Sequence, residues 1–406
     1  MTAPIPQLNR FLAEAKPSAT YKVMDRVAWR RSIGDSILSL CAGEPDFNTP
    51  FHVRDAGIAA IRAGHTRYTQ VAGVRALREA IALKFKRENG MTVDWRDTLV
   101  CSGGKQVIFN ALAATLNEGD EVIVPAPYWV SYPEIVQLCG AKAVTVSCGA
   151  DSGFKLTPAL LSAAITERTR WLILNSPSNP TGAVYSRSEL QALADVLLAH
   201  PHVLVLSDDI YEHLIFDGIK FFTLAQVEPR LRERVLTMNG VSKAYAMTGW
   251  RIGFCTGPRW LIDAMEKLQS QQTSGACSIS QHAALAALTG PSDFITESRL
   301  AFQRRRDMVV KLLNEAPGLH CEVPQGAFYV FASCAGLLGK TTLAGTKLLT
   351  DEDVVTALLE EKGVATVHGS AFGLGPYIRI AYALDDQSLR DACYAITAFC
   401  TSLKSD

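Results

Sequence analysis

Net charge is what this sequence lacks: 40 lysines and arginines balance 40 aspartates and glutamates across 406 residues. That removes any general electrostatic case for a nucleic-acid or anionic-membrane partner. Long apolar runs are missing too, and none approaches the roughly 18 residues of a membrane-spanning helix. The opening residues 1–10 have no apolar run of secretory type. The ten cysteines form no C-x-x-C pair, and several, such as Cys41, Cys101, Cys139, Cys255 and Cys321, stand in apolar surroundings. Reduced core thiols in a cytoplasmic protein are therefore expected, ahead of a disulfide framework or a zinc site. No H-E-x-x-H occurs, and His200 and His202 flank Pro201 on a short connection, so they read as loop residues and no metal is expected. Internal repeats, low-complexity tracts and flexible linkers are absent as well.

What is present is an alternation of short apolar runs with helical patterns. Candidate strands are residues 99–101, 121–124, 143–146, 171–174, 203–206, 235–238 and 252–255. Helical periodicity marks 52–63, 73–89, 106–116, 132–138 and 188–199, the last opened by a capping box at Ser186 and Glu189. Continuous apolar strands separated by helices predict an α/β fold with a mostly parallel seven-stranded sheet covered by helices on both faces. After Gly257 the pattern is largely helical (260–272, 280–288, 293–316). A smaller α/β region closes the chain, with strands at 327–331, 365–368 and 377–382 and helices at 352–362 and 386–401. The first fifty residues read as irregular, and 334–350 as a long surface loop. The domains expected are an N-terminal segment, 1–50, joining a smaller domain of 296–406, and a large domain of 51–295.

Ligands of open α/β sheets bind beyond the carboxyl ends of the strands, and the polar residues collect there. Residues 242–253, Ser-Lys-Ala-Tyr-Ala-Met-Thr-Gly-Trp-Arg-Ile-Gly, place Lys243 in a small, apolar setting with Arg251 downstream. A lysine kept dry has a lowered pKa and a nucleophilic amine, as Schiff-base chemistry requires, and an arginine suits a phosphate. Cys101-Ser102-Gly103-Gly104-Lys105 opens a helix whose free amides favour a phosphate, although it is no Walker A loop. Trp129 can stack on a planar ring or serve as a core tryptophan. Asn175 through Gly182 is rich in fixed φ angles and short amides. Asp208 ends a buried strand and needs a partner, for which a protonated pyridine nitrogen is suitable; a helix cap at Asp209 explains part of the same stretch.

In order and placement these motifs resemble the class I, fold-type I pyridoxal-phosphate aminotransferases. The resemblance runs from about Lys16 to Tyr382. It is carried by Lys16-Pro17-Ser18-Ala19-Thr20, Ala42-Gly43-Glu44-Pro45-Asp46-Phe47, Pro127-Tyr128-Trp129, Asn179-Pro180-Thr181-Gly182, Ser207-Asp208, Ser242-Lys243 with Arg251, and Tyr377-Ile378-Arg379-Ile380. The subgroup it is most similar to is the bacterial aspartate aminotransferases that often also accept prephenate.

The resemblance implies pyridoxal 5′-phosphate held by Lys243 as an internal aldimine, with the same lysine moving the proton between Cα and C4′. It implies Asp208 at the pyridine nitrogen, Tyr211 and Asn179 at the ring's 3′ oxygen, and Trp129 over the ring face. Gly103, Gly104, Lys105, Ser242, Arg251 and a partner subunit's Tyr68 would surround the phosphate. Gly240 departs from the serine that many class I enzymes carry three residues before the lysine, so one phosphate hydrogen bond is either missing or made by Ser242 instead. Arg379 would clamp the substrate α-carboxylate, helped by Asn179 and the Gly43 amide. Lys16, Thr20 and Lys105 would meet a distal carboxylate.

The function expected is ping-pong transfer of the amino group of aspartate to 2-oxoglutarate, with prephenate or aromatic substrates as additions. Partners would be amino acids, 2-oxo acids and a second copy of the chain in a homodimer with shared active sites. Two alternatives keep the fold: aromatic or kynurenine transamination, and β-elimination from cysteine conjugates. A ligand-sensing regulator would require an N-terminal helix-turn-helix domain, and the residues before the large domain are too few and too irregular for one.

Overall fold

A computed structural model describes residues 9–405. At its centre is a seven-stranded sheet of β1 (Thr98–Cys101), β2 (Glu121–Ala126), β3 (Lys142–Ser147), β4 (Thr169–Asn175), β5 (Leu204–Asp208), β6 (Val235–Gly240) and β7 (Gly253–Thr256), in the order β1-β7-β6-β5-β4-β2-β3. Only β7 runs antiparallel to its neighbours, β1 and β6. All seven predicted strands are present, and the sheet is mostly parallel as expected.

Side chains alternate across a strand, so a sheet covered on both faces sends successive apolar residues to different cores. Leu172, Leu174 and Val205 pack in one core, with Leu77, Ile81 and Phe85 of the helix Arg75–Asn89. Trp171, Ile173, Leu204 and Leu206 pack in the other, with Val107 and Leu112 of the helix Gly104–Ala113. This double coverage is why the strands read as unbroken apolar runs.

A third core unites the two chain ends. Leu40 packs there with Phe302, Val330, Ile380 and Phe399, around a three-stranded sheet of β8 (Tyr329–Ser333), β9 (Val367–His368) and β10 (Tyr377–Ala381). Leu38 and Ser39 pair in parallel with Val364 and Ala365, which ties the N-terminal segment to this unit. Tyr211, next to the end of β5, also belongs to this core. The large sheet and the small unit therefore meet at the residues discussed next.

The N-terminal fifty residues differ from expectation. They hold a 14-residue helix, Ala19–Ser32, of which only Val27 is fully buried. Tyr21, Met24 and Trp29 remain exposed, so no apolar stripe marks the helix in the sequence. Among the described residues no helix is long and apolar enough to cross a membrane.

Candidate active site

The carboxyl ends of the parallel strands converge on a cavity of about 490 Å³. Its lining includes Lys105, Lys243, Arg251 and Arg379 against two carboxylates, Glu44 and Asp208. Four cations facing two anions make this a place for anionic ligands.

Strand register explains how residues far apart in sequence arrive together. Asp208 is paired with Asn175 on one side and Met238 on the other, along the carboxyl-end edge of the parallel strands. Because β7 is antiparallel, its beginning lies at the same edge, which brings in Arg251. Arg251 adopts a left-handed φ of 56°, and its Nη1 donates to the Thr248 carbonyl at 2.8 Å. Gly103 needs glycine for its positive φ of 89°, and a Cβ there would also displace the Arg251 guanidinium. Gly253 is equally constrained, since a Cβ would collide with the backbone of Gly103 and Gly104. These glycines press an arginine against the first turn of a ten-residue helix, Gly104–Ala113, where free amides already favour anions.

Lys243 faces the cavity and is half-buried, and its Nζ donates to the Gly43 carbonyl at 2.5 Å. Burial of the ammonium pulls its pKa down to about 8; Glu44 opposes this, and Arg251 and Arg379 assist it. Asp208 is fully enclosed. Burial pushes its pKa up to about 6, against the stabilising hydrogen bonds from Tyr132 and the Ile210 amide. Lys105 is exposed at the cavity mouth, its Nζ 4.8 Å from the centre of the Trp129 ring. Its pKa is lowered, first by desolvation and then by Arg251.

Asn175 ties the loop after β4 to β5: its Nδ2 donates to the Asp208 carbonyl at 2.9 Å, and its Oδ1 accepts from the Asn179 amide at 2.8 Å. Asn179 Oδ1 in turn accepts from Arg379 Nη1 at 3.2 Å. Arg379 is almost wholly buried, with Nη2 donating to the Cys41 carbonyl at 2.5 Å and Nε left without a hydrogen-bond partner. Its guanidinium lies over the rings of Tyr329 and Phe372, at 4.8 and 4.9 Å.

The cavity lining thus holds Gly43, Gly104, Lys105, Trp129, Asn179, Asp208, Tyr211, Ser242, Lys243, Arg251, Arg379 and Thr20, with Gly103 directly behind Arg251. Gly240 lies beneath, where a Cβ would sit 3.0 Å from both Ile210 and the Ile252 carbonyl. Two expected residues lie elsewhere. Lys16 is exposed and lines a neighbouring cavity of about 510 Å³ with Glu134 and His368, its backbone amide donating to Glu134 at 2.6 Å. Tyr68 is 94% exposed and outside the cavity.

Two tyrosines went unnoticed in the sequence. Tyr132 donates to Asp208, and the Tyr329 and Tyr211 hydroxyls are 2.8 Å apart. Both sit in apolar runs that read as core. The one available signal was the position of Tyr132, one helical turn after Trp129.

Comparison with known proteins agrees with this geometry. Residues 35–396 match the family described as aminotransferase class I and II. The chain is 56% identical to a probable aspartate/prephenate aminotransferase of Rhizobium leguminosarum bv. phaseoli, covering 97% of this chain and 100% of that one. It is 55% identical to the aspartate/prephenate aminotransferase of Cereibacter sphaeroides, over 98% and 99% of the two chains. The crystal structure of the aspartate aminotransferase from Rhizobium meliloti superposes with a TM-score of 0.96 at 51% identity, covering 98% and 100%. The aspartate aminotransferase of Thermus thermophilus with maleate gives 0.91 at 41% identity, covering 97% and 100%.

Proposed function

The chain belongs to the class I and II aminotransferase family, and on that premise we propose that it moves the amino group of aspartate to 2-oxoglutarate, using pyridoxal 5′-phosphate carried on Lys243. Prephenate or aromatic substrates are further acceptors or donors at the same site. The observation that carries this reading is the convergence of a lysine of depressed pKa, a buried strand-end carboxylate and a buried arginine on one cavity.

The residues present fit the cofactor. Gly103 and Gly253 let Arg251 and the first turn of the helix Gly104–Ala113 pack together, which sets a guanidinium beside free amides, as a phosphate needs. Asp208 would face the pyridine nitrogen, whose positive charge restores a carboxylate that burial alone disfavours. When bound, the cofactor supplies an electron sink for charge developing at the substrate Cα. Everything else falls to the chain's own groups. The amine of Lys243, neutral for a sizeable fraction of the time near pH 8, takes and returns the proton at Cα. The backbone amides of Gly103, Gly104 and Lys105, with Ser242 and Arg251, would hold the phosphate. Tyr211 and Asn179 would meet the ring's 3′ oxygen, and Trp129 would cover its face.

Arg379 offers its planar fork to the α-carboxylate, with Nε still free to donate. Asn179 and the Gly43 amide complete that clamp. Lys105 and Thr20 line the cavity and would recognise a distal carboxylate; a dicarboxylate, maleate, accompanies the Thermus thermophilus relative's structure. Lys16 joins them only if the N-terminal segment shifts. Donor and acceptor occupy this one pocket in turn, which is ping-pong kinetics. We assign the cofactor to a domain of 51–295, and 1–50 with 296–406 to the smaller one. Tyr68, fully displayed to solvent, is the residue a second subunit would receive at its phosphate site, so a cytoplasmic homodimer completes the proposal.

The test is a panel of amino acids assayed for 2-oxo acid product with the native protein and with Lys105→Ala. Aspartate should be the best donor, and Lys105→Ala should lower kcat/KM for aspartate far more than for alanine. Equal losses for both would remove Lys105 from substrate recognition. Pyruvate and ammonia formed from a single substrate would favour β-elimination instead.

A further inference from the structure

Tyr329 occupies a position that the cofactor and substrate roles above leave unexplained. It begins β8 in the small unit, is 1% exposed, and points its hydroxyl into the cavity wall. Three groups meet there. The Tyr211 hydroxyl, at the end of β5, lies 2.8 Å away. The Arg379 guanidinium covers the Tyr329 ring at 4.8 Å. Gly43 comes so close that a Cβ on it would sit 2.6 Å from the Tyr329 oxygen. One side chain therefore touches the arginine of the carboxylate clamp, the loop whose carbonyl accepts from Lys243, and the tyrosine assigned to the cofactor's 3′ oxygen.

We propose that Tyr329 is a positioning residue that acts through Tyr211 to set the proton affinity of the cofactor linkage at Lys243. The proposal rests on the cofactor reading given above. A phenol has a single proton to donate. If Tyr211 spends its own on the 3′ oxygen, the bond between the two tyrosines must run from Tyr329 to Tyr211. A hydrogen bond accepted by an oxygen polarises the O–H on that same oxygen, so Tyr329 strengthens the donation by Tyr211. Stronger donation to the 3′ oxygen draws charge from it and weakens its hold on the neighbouring imine proton. The pair therefore lowers the pH at which that proton leaves. The other charged and titratable groups facing the two phenols are Asp208 on the Tyr211 turn, Lys243 after β6, whose Nζ lies 5.8 Å from the Tyr211 ring, Arg379 on β10, Tyr132 beside Tyr211 and Tyr382 beside Tyr329. None of them is altered by removing one hydroxyl.

The test is a spectrophotometric pH titration of the cofactor-loaded protein as wild type, Tyr329→Phe, Tyr211→Phe and the double variant. Phenylalanine keeps the ring over which Arg379 lies, and the titration reads only molecules that hold cofactor, so partial loss of folded protein does not affect it. Tyr329→Phe should raise the midpoint by about 0.4–1 pH unit, the scale of one neutral hydrogen bond. Tyr211→Phe should raise it further, and adding Tyr329→Phe to Tyr211→Phe should change nothing more. An unmoved midpoint in Tyr329→Phe, or a shift of equal size in the Tyr211→Phe background, overturns the proposal. A wild-type protein with no proton-sensitive band overturns the cofactor reading, and this proposal with it.

Discussion

The Tyr132 hydroxyl donates a hydrogen bond to Asp208 Oδ2 at 2.5 Å, with both side chains buried. Burial raises the Asp208 pKa, and this hydrogen bond is the largest influence that restrains the rise. Tyr132 is thus what keeps a dry carboxylate available as an anion. Its ring is also packed edge-on against Trp129, at 5.4 Å, so the residue expected to cover the cofactor and the residue expected to face its nitrogen share one neighbour.

Tyr132→Phe should therefore weaken catalysis without emptying the pocket. Loss of a hydrogen bond to a charged group costs about 1.5–3 kcal/mol, so kcat should fall roughly tenfold to a hundredfold. The sign of the pH effect follows. In the cofactor-free protein, removing the donor pushes the Asp208 pKa further up from about 6, so the variant's deficit in cofactor capture should be largest at low pH and shrink as pH rises towards 9. Steady-state kinetics of the loaded proteins measure the loss in kcat, and cofactor capture across that pH range measures the pH effect.

Lys243 gives a second pH dependence, with the same cause, burial, acting on a cation. Its pKa is lowered to about 8, so in the cofactor-free protein the fraction of neutral amine rises through pH 8 and levels off above it. The rate of cofactor capture by the cofactor-free protein should follow that curve. An ordinary lysine would show a rise still climbing near pH 10. Stopped-flow absorbance across pH 6.5–10 would distinguish the two, with those limits chosen as roughly two units either side of the transition.

Arg379→Lys keeps the charge and loses the fork. The ammonium cannot reproduce two parallel N–H donors, nor the planar packing over Tyr329 and Phe372. The expected loss in kcat/KM is roughly a hundredfold for every amino acid, because each presents the same α-carboxylate. A loss confined to dicarboxylates would contradict this assignment.

Behind the turn carrying Asp208 and Tyr211, Lys84 forms an ion pair with Glu212, both side chains nearly inaccessible. Asn89 bridges them, accepting from Lys84 and donating to Glu212, each at 2.8 Å. Burial opposes ionisation of Glu212, but Lys84 outweighs it and the carboxyl pKa is lowered. Glu88, Glu212 and His213 are close enough together to suggest a metal site, yet the Lys84 ammonium already supplies the cation there. Lys84→Met should destabilise the fold by about 3–5 kcal/mol by stranding a buried charge, and Lys84→Met with Glu212→Gln should recover much of it. Chemical denaturation of the three proteins tests both statements.

The sheet was legible because its strands are covered on both faces, with Leu172 and Val205 in one core and Val122 in the other, and so leave unbroken apolar runs. Asp208 was legible because a charged residue at the end of such a run requires a partner, Lys243 because its setting is small and apolar with Arg251 downstream, and Arg379 only through the family resemblance. Tyr132 and Tyr329 were not, since a buried phenol reads as core until its hydroxyl's partner is located in space. The helix Ala19–Ser32 escaped because only Val27 is fully buried and the other apolar side chains are partly or wholly exposed. Nothing in the sequence positions Lys16 relative to the cavity, because that depends on how the N-terminal segment packs against Glu134.

The central claim is that Lys243 carries the cofactor, and the most direct measurement is hydride reduction of the cofactor-loaded protein followed by peptide mass mapping. The reduced pyridoxyl phosphate mass should appear on the peptide containing Lys243, and the native protein's visible absorbance should vanish with it. A label on Lys105 or any other lysine, or no label at all, would contradict the claim.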